Sequence, residues 1–270
     1  MDNLPYAPTT LDSGYGYIAL AGHRGMVMIK SLSTDWYATL KVGLGMNNCV
    51  RLSQHQNDGD LRVTICNNDQ TISVYSIPNM QKLVLLDMPA AINQVAMSPD
   101  GEKMLAVCDN GYVYIYQISD YQRIKELKVT EGAALLACAW KPTSDVFAVS
   151  TQNGLVQVYD AHTYQLMAQL GSVESRETRN APRSIQFSKG PLDLLAYAEH
   201  VSNVNIVDTR TYETRQIIRL GPKERDAHIA GLTFSSDNRS ILVALETDLI
   251  QLPVDTVARR QFPSARRFLA

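Results

Sequence analysis

The feature that most constrains the fold of this chain is an internal repeat. An apolar residue ends a short strand, just before a turn rich in Ser, Pro, Asp or Gly, at five matching positions. These positions are Leu52, Met97, Trp140, Phe187 and Phe234, which lie 45, 43, 47 and 47 residues apart. A period in the mid-forties, with several short strands in each unit, indicates a repeat architecture rather than one continuous core.

Each repeat follows the same order of strands and turns. The second strand is an almost wholly apolar run (LRVTIC, KMLAVC, VFAVS, DLLAYA, ILVALE), as is typical of strands covered on both faces. A tight turn, a partly alternating third strand and a polar fourth stretch follow, and the polar stretch suits an outer edge. The pattern predicts an all-β fold: a β-propeller of four-stranded blades, either about six or an incomplete seven.

The ends of the chain fit the repeat less well. We predict a single propeller domain over residues 1–270, with irregular ends at 1–15 and 257–270. The first unit lacks a clear innermost strand unless residues 5–12 supply it, and Pro253 favours an edge or irregular position for the last third strand. The Asn-Gly turns predict two-residue hairpins in which both central residues have positive φ.

Composition limits the classes of function. The chain has 25 Lys and Arg against 27 Asp and Glu, which argues against a general nucleic-acid or acidic-membrane binder. Its cysteines lie singly in apolar stretches, as expected of small buried residues in a reducing compartment. No signal peptide and no apolar run of about 20 residues is visible. We therefore expect a protein of the cytoplasm or nucleus that uses no cofactor.

Two segments carry a family resemblance. Residues 98–117 (SPDGEKMLAVCDNGYVYIYQ) and 150–160 (STQNGLVQVYD) resemble WD40 repeats, and the general resemblance covers residues 16–255. In that family the third strand ends in a Trp-Asp pair, which here is replaced by Tyr75-Ser76, Tyr116-Gln117, Tyr159-Asp160 and Val207-Asp208. The departure implies that the family's buried polar network gives way to apolar packing. The resemblance implies a propeller that binds proteins.

A narrower resemblance rests on residues 17–25, 92–109 and 190–213. These segments are similar to a group of fungal WD-repeat proteins with an otherwise uncharacterised domain. At least one protein of that group is a substrate receptor of a GID-type ubiquitin ligase. The resemblance therefore implies a substrate receptor in a ubiquitin ligase, and a scaffold subunit of another intracellular complex is the alternative.

The sequence gives little support for catalysis. It contains no Walker A, HExxH or GxSxG pattern, and none of its five histidines is spaced as a local metal pair. We predict a surface or turn position for each histidine and no metal site. The alternative from another class is a propeller hydrolase with a central metal, whose ligands would include Asp69, Asp109 and Glu199.

The turns between second and third strands are the predicted recognition site. Turn residues without a turn-forming reason are better candidates for recognition than core residues. In a propeller these turns converge around the channel mouth, so we predict a ring that binds a partner protein or a short polar or basic peptide. The predicted residues are His23, Arg24, Asn68, Asp109, Asn153, Glu199, His200 and Glu246. The charged connections 171–183 and 220–228 form the alternative binding surface, at the rim.

Overall fold

The computed structural model describes residues 4–56, 58–171, 181–221 and 226–256. The fold is an all-β propeller of six blades, each a small antiparallel sheet whose strands follow chain order. Short 3₁₀ turns at His23–Gly25 and Gly190–Leu192 interrupt the strands. The predicted fold class is thereby confirmed, and the blade count is six. Contacts divide the chain into two compact units, 1–135 and 136–270, and the prediction of one domain stays a prediction.

The first unit contains three blades of four strands each. Blade 1 is formed by β1 (Pro8–Gly14), β2 (Tyr17–Gly22), β3 (Met26–Ser31) and β4 (Tyr37–Lys41). Blade 2 is formed by β5 (Asn47–Gln54), β6 (Leu61–Asn67), β7 (Thr71–Ile77) and β8 (Lys82–Asp87). Blade 3 is formed by β9 (Ile92–Met97), β10 (Lys103–Cys108), β11 (Tyr112–Gln117) and β12 (Arg123–Lys128).

The second unit holds nearly all of blade 4 and the whole of blades 5 and 6. Blade 4 is formed by β13 (Leu135–Trp140), β14 (Val146–Thr151), β15 (Val156–Asp160) and β16 (Leu166–Leu170). Blade 5 is formed by β17 (Pro182–Phe187), β18 (Leu194–Glu199), β19 (Asn203–Asp208) and β20 (Arg215–Arg219). Blade 6 has three strands among the described residues, namely β21 (Ile229–Phe234), β22 (Ser240–Leu245) and β23 (Leu249–Pro253).

Burial follows the polarity of the strands, as the repeat predicts. Every residue of β14 is buried, and so is every residue of β10 after Lys103. The fourth strands are mostly exposed, as in β12 and β20. Apolar second strands therefore form the core of each blade, because both of their faces are covered.

The repeat register is confirmed in blades 3 to 6, where the predicted apolar residue ends the innermost strand, but Leu52 lies two residues before the end of β5. Trp140, Phe187 and Phe234 are the last residues of β13, β17 and β21, and all three are buried. Phe147 lies beneath Trp140, with ring centres 5.4 Å apart, and is also 5.4 Å from Tyr159. Aromatic pairs at this separation add to the stability that burial provides.

Strand β1, Pro8–Gly14, corrects the prediction that residues 1–15 are irregular and lies close to the alternative, in which residues 5–12 supply the innermost strand. Its residues are polar and largely exposed, so their sequence does not read as a strand. Their side chains bind the neighbouring blade instead: Thr9 Oγ1 donates to the Asn47 carbonyl at 2.6 Å, and Asp12 Oδ2 accepts from the Leu52 N–H at 2.7 Å. Hydrogen bonds to β5, some forty residues away, thus hold β1 in place.

The Asn-Gly turns also differ from the prediction. Three residues, 109–111, connect β10 to β11, and only Gly111 has a positive φ, of 81°. A Cβ on Gly111 would lie 2.4 Å from the Thr130 carbonyl oxygen, so both conformation and space require glycine there.

Pro253 is the last residue of β23, an edge strand of blade 6 among the described residues. Of the two positions predicted for it, the edge position is therefore the one observed. The predicted irregular end 257–270 lies outside the described residues, as do 172–180 and 222–225 of the predicted rim. Within the described ranges, no helix is long and apolar enough to cross a membrane.

Candidate protein-binding site

The eight predicted residues lie at corresponding places in the six blades, on the connection between second and third strand. His23 and Arg24 follow β2, Asn68 follows β6 and Asp109 follows β10. In the second unit, Asn153 follows β14, Glu199 ends β18 with His200 after it, and Glu246 follows β22. The structure thus places four of them in each unit, and their arrangement as one ring stays a prediction.

The blade 1 turn presents two exposed basic side chains. His23 and Arg24 stand in a 3₁₀ turn where Arg24 adopts a left-handed conformation with φ of 60°. The next residue, Gly25, lies against the connection to blade 2, since its added Cβ would be 2.7 Å from the Val42 carbonyl oxygen. This close contact fixes the backbone that carries both side chains, so the turn is a firm support for exposed charge.

Two equivalent asparagines tie the blade 2 and blade 3 turns to their surroundings. Asn48 Nδ2 donates to Asn68 Oδ1 at 3.2 Å and to the Ile92 carbonyl at 2.9 Å. In the same way, Asn93 Nδ2 donates to Asp109 Oδ1 at 2.7 Å and to the carbonyl of Leu135 at 2.8 Å. Each amide joins a predicted site residue to the backbone of the innermost strand that follows.

A buried amide organises the backbone beside Asn68. The side chain of Asn67 donates through Nδ2 to the Val42 carbonyl at 2.9 Å and to Asn47 Oδ1 at 2.8 Å. Its Oδ1 accepts from the N–H groups of Gly45 at 3.1 Å and Asp69 at 2.9 Å. Because Asn67 is fully buried, these bonds satisfy polar groups that water does not reach.

Glu199 is already engaged within its own blade. Its carboxylate accepts from Asn203 Nδ2 at 2.8 Å and from Asn205 Nδ2 at 3.0 Å. Asn205 is fully buried, and its Oδ1 has no hydrogen-bond partner among the described residues. Glu199 therefore holds the half-buried Asn203 and the buried Asn205 of β19 as well as standing at the turn.

His200 forms a pair with His228, which the sequence does not reveal. The two rings meet edge to face with centres 5.3 Å apart, next to a bridge between Val201 and His228. Partial burial, followed by the charges of Arg183 and His228, lowers the pKa of His200 below its ordinary value. Its Nδ1 is buried without a hydrogen-bond partner in the described part of the chain.

The remaining two turns present exposed polar side chains. Asn153 Oδ1 accepts a hydrogen bond from Thr151 Oγ1, which shapes the turn after β14. Glu246 lies exposed between β22 and β23, where the Leu245 N–H donates to the Asp248 carbonyl at 2.8 Å. With Arg24, these residues place charged and amide groups at exposed turns.

The three carboxylates of the metal-hydrolase alternative each accept hydrogen bonds from other groups of the protein. Asp69 accepts from the Leu44 N–H at 2.8 Å and from Thr71 Oγ1 at 2.6 Å, while Asn93 and the two amides of β19 hold Asp109 and Glu199. Across the described residues, no three His, Cys, Asp or Glu side chains come close enough to share a metal ion.

Sequence reasoning missed Asn48, Asn67 and Asn93. A signal was present, because Asn48 and Asn93 stand 45 residues apart, one repeat period, near the start of their innermost strands. The prediction that every histidine lies at a surface or turn holds for His55 as a turn position, although the residue is only 7% exposed. It is buried because it closes the connection from β5 to β6, where Gly59 and Asp60 bond to its backbone.

Comparison with known proteins gives one family match and several relatives. The model of an uncharacterised protein domain, DUF2415, matches residues 180–219, a range that contains all four strands of blade 5. An uncharacterized protein of Schizosaccharomyces pombe is 28% identical over 274 residues, covering 97% of this chain and 78% of the relative. An uncharacterized protein of Saccharomyces cerevisiae is 24% identical over 238 residues, covering 74% of this chain and 32% of the relative.

A relative with a stated role is eukaryotic translation initiation factor 3 subunit I of Candida albicans. It is 25% identical over 209 residues, covering 68% of this chain and 58% of the relative. The match to this chain spans 32% of the S. cerevisiae protein, 58% of the C. albicans protein and 78% of the S. pombe protein.

The fold and the turns define the class of this protein as a β-propeller built of repeated four-stranded units. Within that class, the six blades and the similarity to an initiation factor subunit support the WD40 family, as the repeat sequences imply.

Proposed function

We propose that this chain is a non-catalytic subunit that recognises a partner protein through its second-to-third-strand turns. The observation that carries the proposal is the repeated placement of polar and charged side chains, most of them exposed, on the same connection of every blade. Rigid blades support these turns, and loops on a rigid scaffold are the usual place for recognition. Asp109, Glu246 and Glu199 favour a partner segment that bears Lys, Arg or a free amino group.

We further propose that the partner is a substrate and that the chain is its receptor in a ubiquitin ligase. This rests on the resemblance of residues 17–25, 92–109 and 190–213 to a fungal group that includes such a receptor. The match of residues 180–219 to an uncharacterised domain falls in the same part of the chain. A cytoplasmic or nuclear location follows from this role and belongs to the proposal.

The second candidate is a scaffold subunit of another complex. It is favoured by the similarity to translation initiation factor 3 subunit I, which recurs in several fungi, including Candida albicans and Aspergillus oryzae. A subunit of this kind would use the same turns to hold a neighbouring subunit rather than a substrate.

The test compares carboxylates at the two ends of the blades. Asp109 and Glu246 lie exposed on second-to-third-strand turns, whereas Glu102 and Glu213 lie exposed at the opposite ends of blades 3 and 5. We expect the double variant Asp109→Ala/Glu246→Ala to recover about tenfold less partner from native extract, because interface truncations commonly cost over 1 kcal/mol. The control Glu102→Ala/Glu213→Ala keeps full recovery.

Mass spectrometry of the recovered proteins separates the two candidates. Ubiquitin-ligase subunits, together with a protein whose turnover slows in the double variant, support the receptor role. Initiation factors without ligase subunits support the scaffold role. Equal recovery by the turn variant and its control would place the contact elsewhere and refute the proposed site.

A further inference from the structure

The connection from blade 1 to blade 2 holds a leucine out in solvent. This residue, Leu44, is 84% exposed, more than any other large apolar residue described. Its N–H donates to Asp69 Oδ2 at 2.8 Å. The preceding Gly43 lies tightly against the blade 2 turn, since its added Cβ would be 2.5 Å from Asn67 Nδ2 and 2.7 Å from Asp69 Oδ2. These contacts fix the backbone of the connection, so Leu44 is kept away from the core of its own chain.

The surface on the blade 1 side of Leu44 is basic. Gly25 lies against the connection there, because its added Cβ would be 2.7 Å from the Gly43 carbonyl oxygen. The residue before it, Arg24, is exposed in the second-to-third-strand turn. Lys41 is exposed at the end of β4, where it pairs with the first residue of β3. Two positive charges therefore stand next to the exposed leucine on this side.

The surface on the blade 2 side of Leu44 is acidic. Asp69 is half-buried in the second-to-third-strand turn, and Asp87 is exposed at the end of β8, where it pairs with Thr71 just beyond that turn. Within the described ranges, none of these two carboxylates and the two bases of the blade 1 side takes part in an ion pair. The exposed leucine therefore lies between two charged areas of opposite sign that do not neutralise each other by contact.

We propose that these five side chains, the Leu44 patch, bind the same patch of a second copy of this chain. The patch consists of Arg24, Lys41, Leu44, Asp69 and Asp87. A two-fold symmetric contact brings a surface against itself, so the surface must be self-complementary. A basic side and an acidic side on either hand of an apolar centre meet this condition. Five side chains are fewer than the about 20–30 residues on each side of a stable interface, so the dimer is weak, with a Kd of tens of micromolar.

The positions of the charges in the blades determine which of them meet. Arg24 and Asp69 lie on turns between second and third strands, whereas Lys41 and Asp87 lie on fourth strands, nearer the outside of the ring. A two-fold axis through Leu44 exchanges blade 1 with blade 2 and inner with outer positions. Arg24 of each copy therefore faces Asp87 of the other, and the two leucines pack together at the centre. Other orientations bring like charges together and are disfavoured.

The first test measures self-association by sedimentation equilibrium at low salt. As the protein concentration rises through the expected Kd, the mean mass of the wild type should rise from that of one chain toward twice that value. Leu44→Asp should weaken association about tenfold or more, because it places an unpaired carboxylate at the centre of the contact. The matched control is Leu32→Asp, since Leu32 is 66% exposed at the opposite end of blade 1 and should leave association unchanged.

The second test reverses the charges and examines the symmetry itself. Arg24→Glu and Asp87→Lys should each weaken self-association about tenfold or more, because each variant opposes like charges twice in its own dimer. An equal mixture of the two variants should associate again. In the mixed dimer the two reversed charges face each other, and the second contact keeps its natural Arg24 and Asp87. Lys30→Glu, at the opposite end of blade 1, is the control and should leave association unchanged.

Self-association covers the turns of blades 1 and 2, so it competes with a partner for these turns, a consequence that rests on the proposed function. The two proposals fail separately, because Asp109→Ala/Glu246→Ala should lose partner recovery and keep self-association. A wild type that stays monomeric at all concentrations, or a Leu44→Asp variant that associates as tightly as the wild type, would overturn the dimer. Failure of the two charge-reversal variants to associate on mixing would overturn it too. Melting temperatures equal to that of the wild type show that all these surface variants are folded.

Discussion

Replacing the fully buried Asn67 by alanine should destabilise the first unit strongly. The change leaves the Val42 carbonyl and Asn47 Oδ1, both buried, without this donor, and the N–H groups of Gly45 and Asp69 without this acceptor. Each buried group left unsatisfied costs about 1–2 kcal/mol and each partly buried one about 0.5 kcal/mol, which gives about 3–5 kcal/mol in all. That loss is a large share of the stability of an ordinary domain.

Urea unfolding followed by circular dichroism measures this loss. The matched control is Asn110→Ala, because Asn110 is an exposed turn residue whose Nδ2 bonds only to the Tyr114 hydroxyl, at 2.9 Å, among the hydrogen bonds described. We expect the control to lose less than about 1 kcal/mol, as surface substitutions usually do. A loss below about 1 kcal/mol for Asn67→Ala as well would show that the connection from blade 1 to blade 2 does not depend on this amide.

Three further results are expected. Trp140→Ala and Phe187→Ala should each cost about 3–5 kcal/mol in unfolding experiments, because both side chains are buried; losses below about 1 kcal/mol at both would contradict the repeat register. Asn93→Ala should lower the free energy of unfolding by about 1–2 kcal/mol, since its hydrogen bonds to Asp109 and to the Leu135 carbonyl are lost. Unchanged hydrogen exchange of the backbone amides in the turn that contains Asp109 would show that Asn93 does not hold this turn. The pKa of His200 is lowered in the folded state, so the unfolded chain takes up the proton first and the free energy of unfolding falls as pH drops through about 6.5. Between pH 7.5 and 5.5 the His200→Gln variant should lose less free energy of unfolding than the wild type. An equal loss in the two proteins would refute this assignment.

The fold was predictable because its signals are local. Apolar second strands and the turns that follow them recur at a nearly constant interval, so the strand order follows from the repeat. The repeat left the blade count open between six and an incomplete seven, and the structure decides for six. Strand β1 was not predictable in this way, because Thr9 and Asp12 find their partners in β5 and their own sequence has no apolar pattern. The burial of Arg62, at 9% exposure, was not predictable either, because a charged residue within the apolar run of β6 gives no local sign that it is enclosed.

The candidate site was predictable in position but not in chemistry. The repeat placed all eight side chains on the correct connection of their blades, because a turn is defined by the strands around it. The partners of those side chains lie on other strands, as with the two amides that hold Glu199. Glu199→Ala is therefore a poor probe of binding, since it leaves the buried Asn205 Nδ2 without an acceptor. Asp109 and Glu246 are better choices.

The paired bridges of Asn48 and Asn93 carry a consequence for how such a protein diverges. An acceptor at position 68 or 109 holds its asparagine through an exposed hydrogen bond, so mutation there carries a small cost to the fold before any partner is considered. Arg24 and Glu246 carry no such obligation in the hydrogen bonds described. Duplicated copies that acquire new partners should therefore change first at the turns of blades 1 and 6, while the turns of blades 2 and 3 retain Asn or Asp.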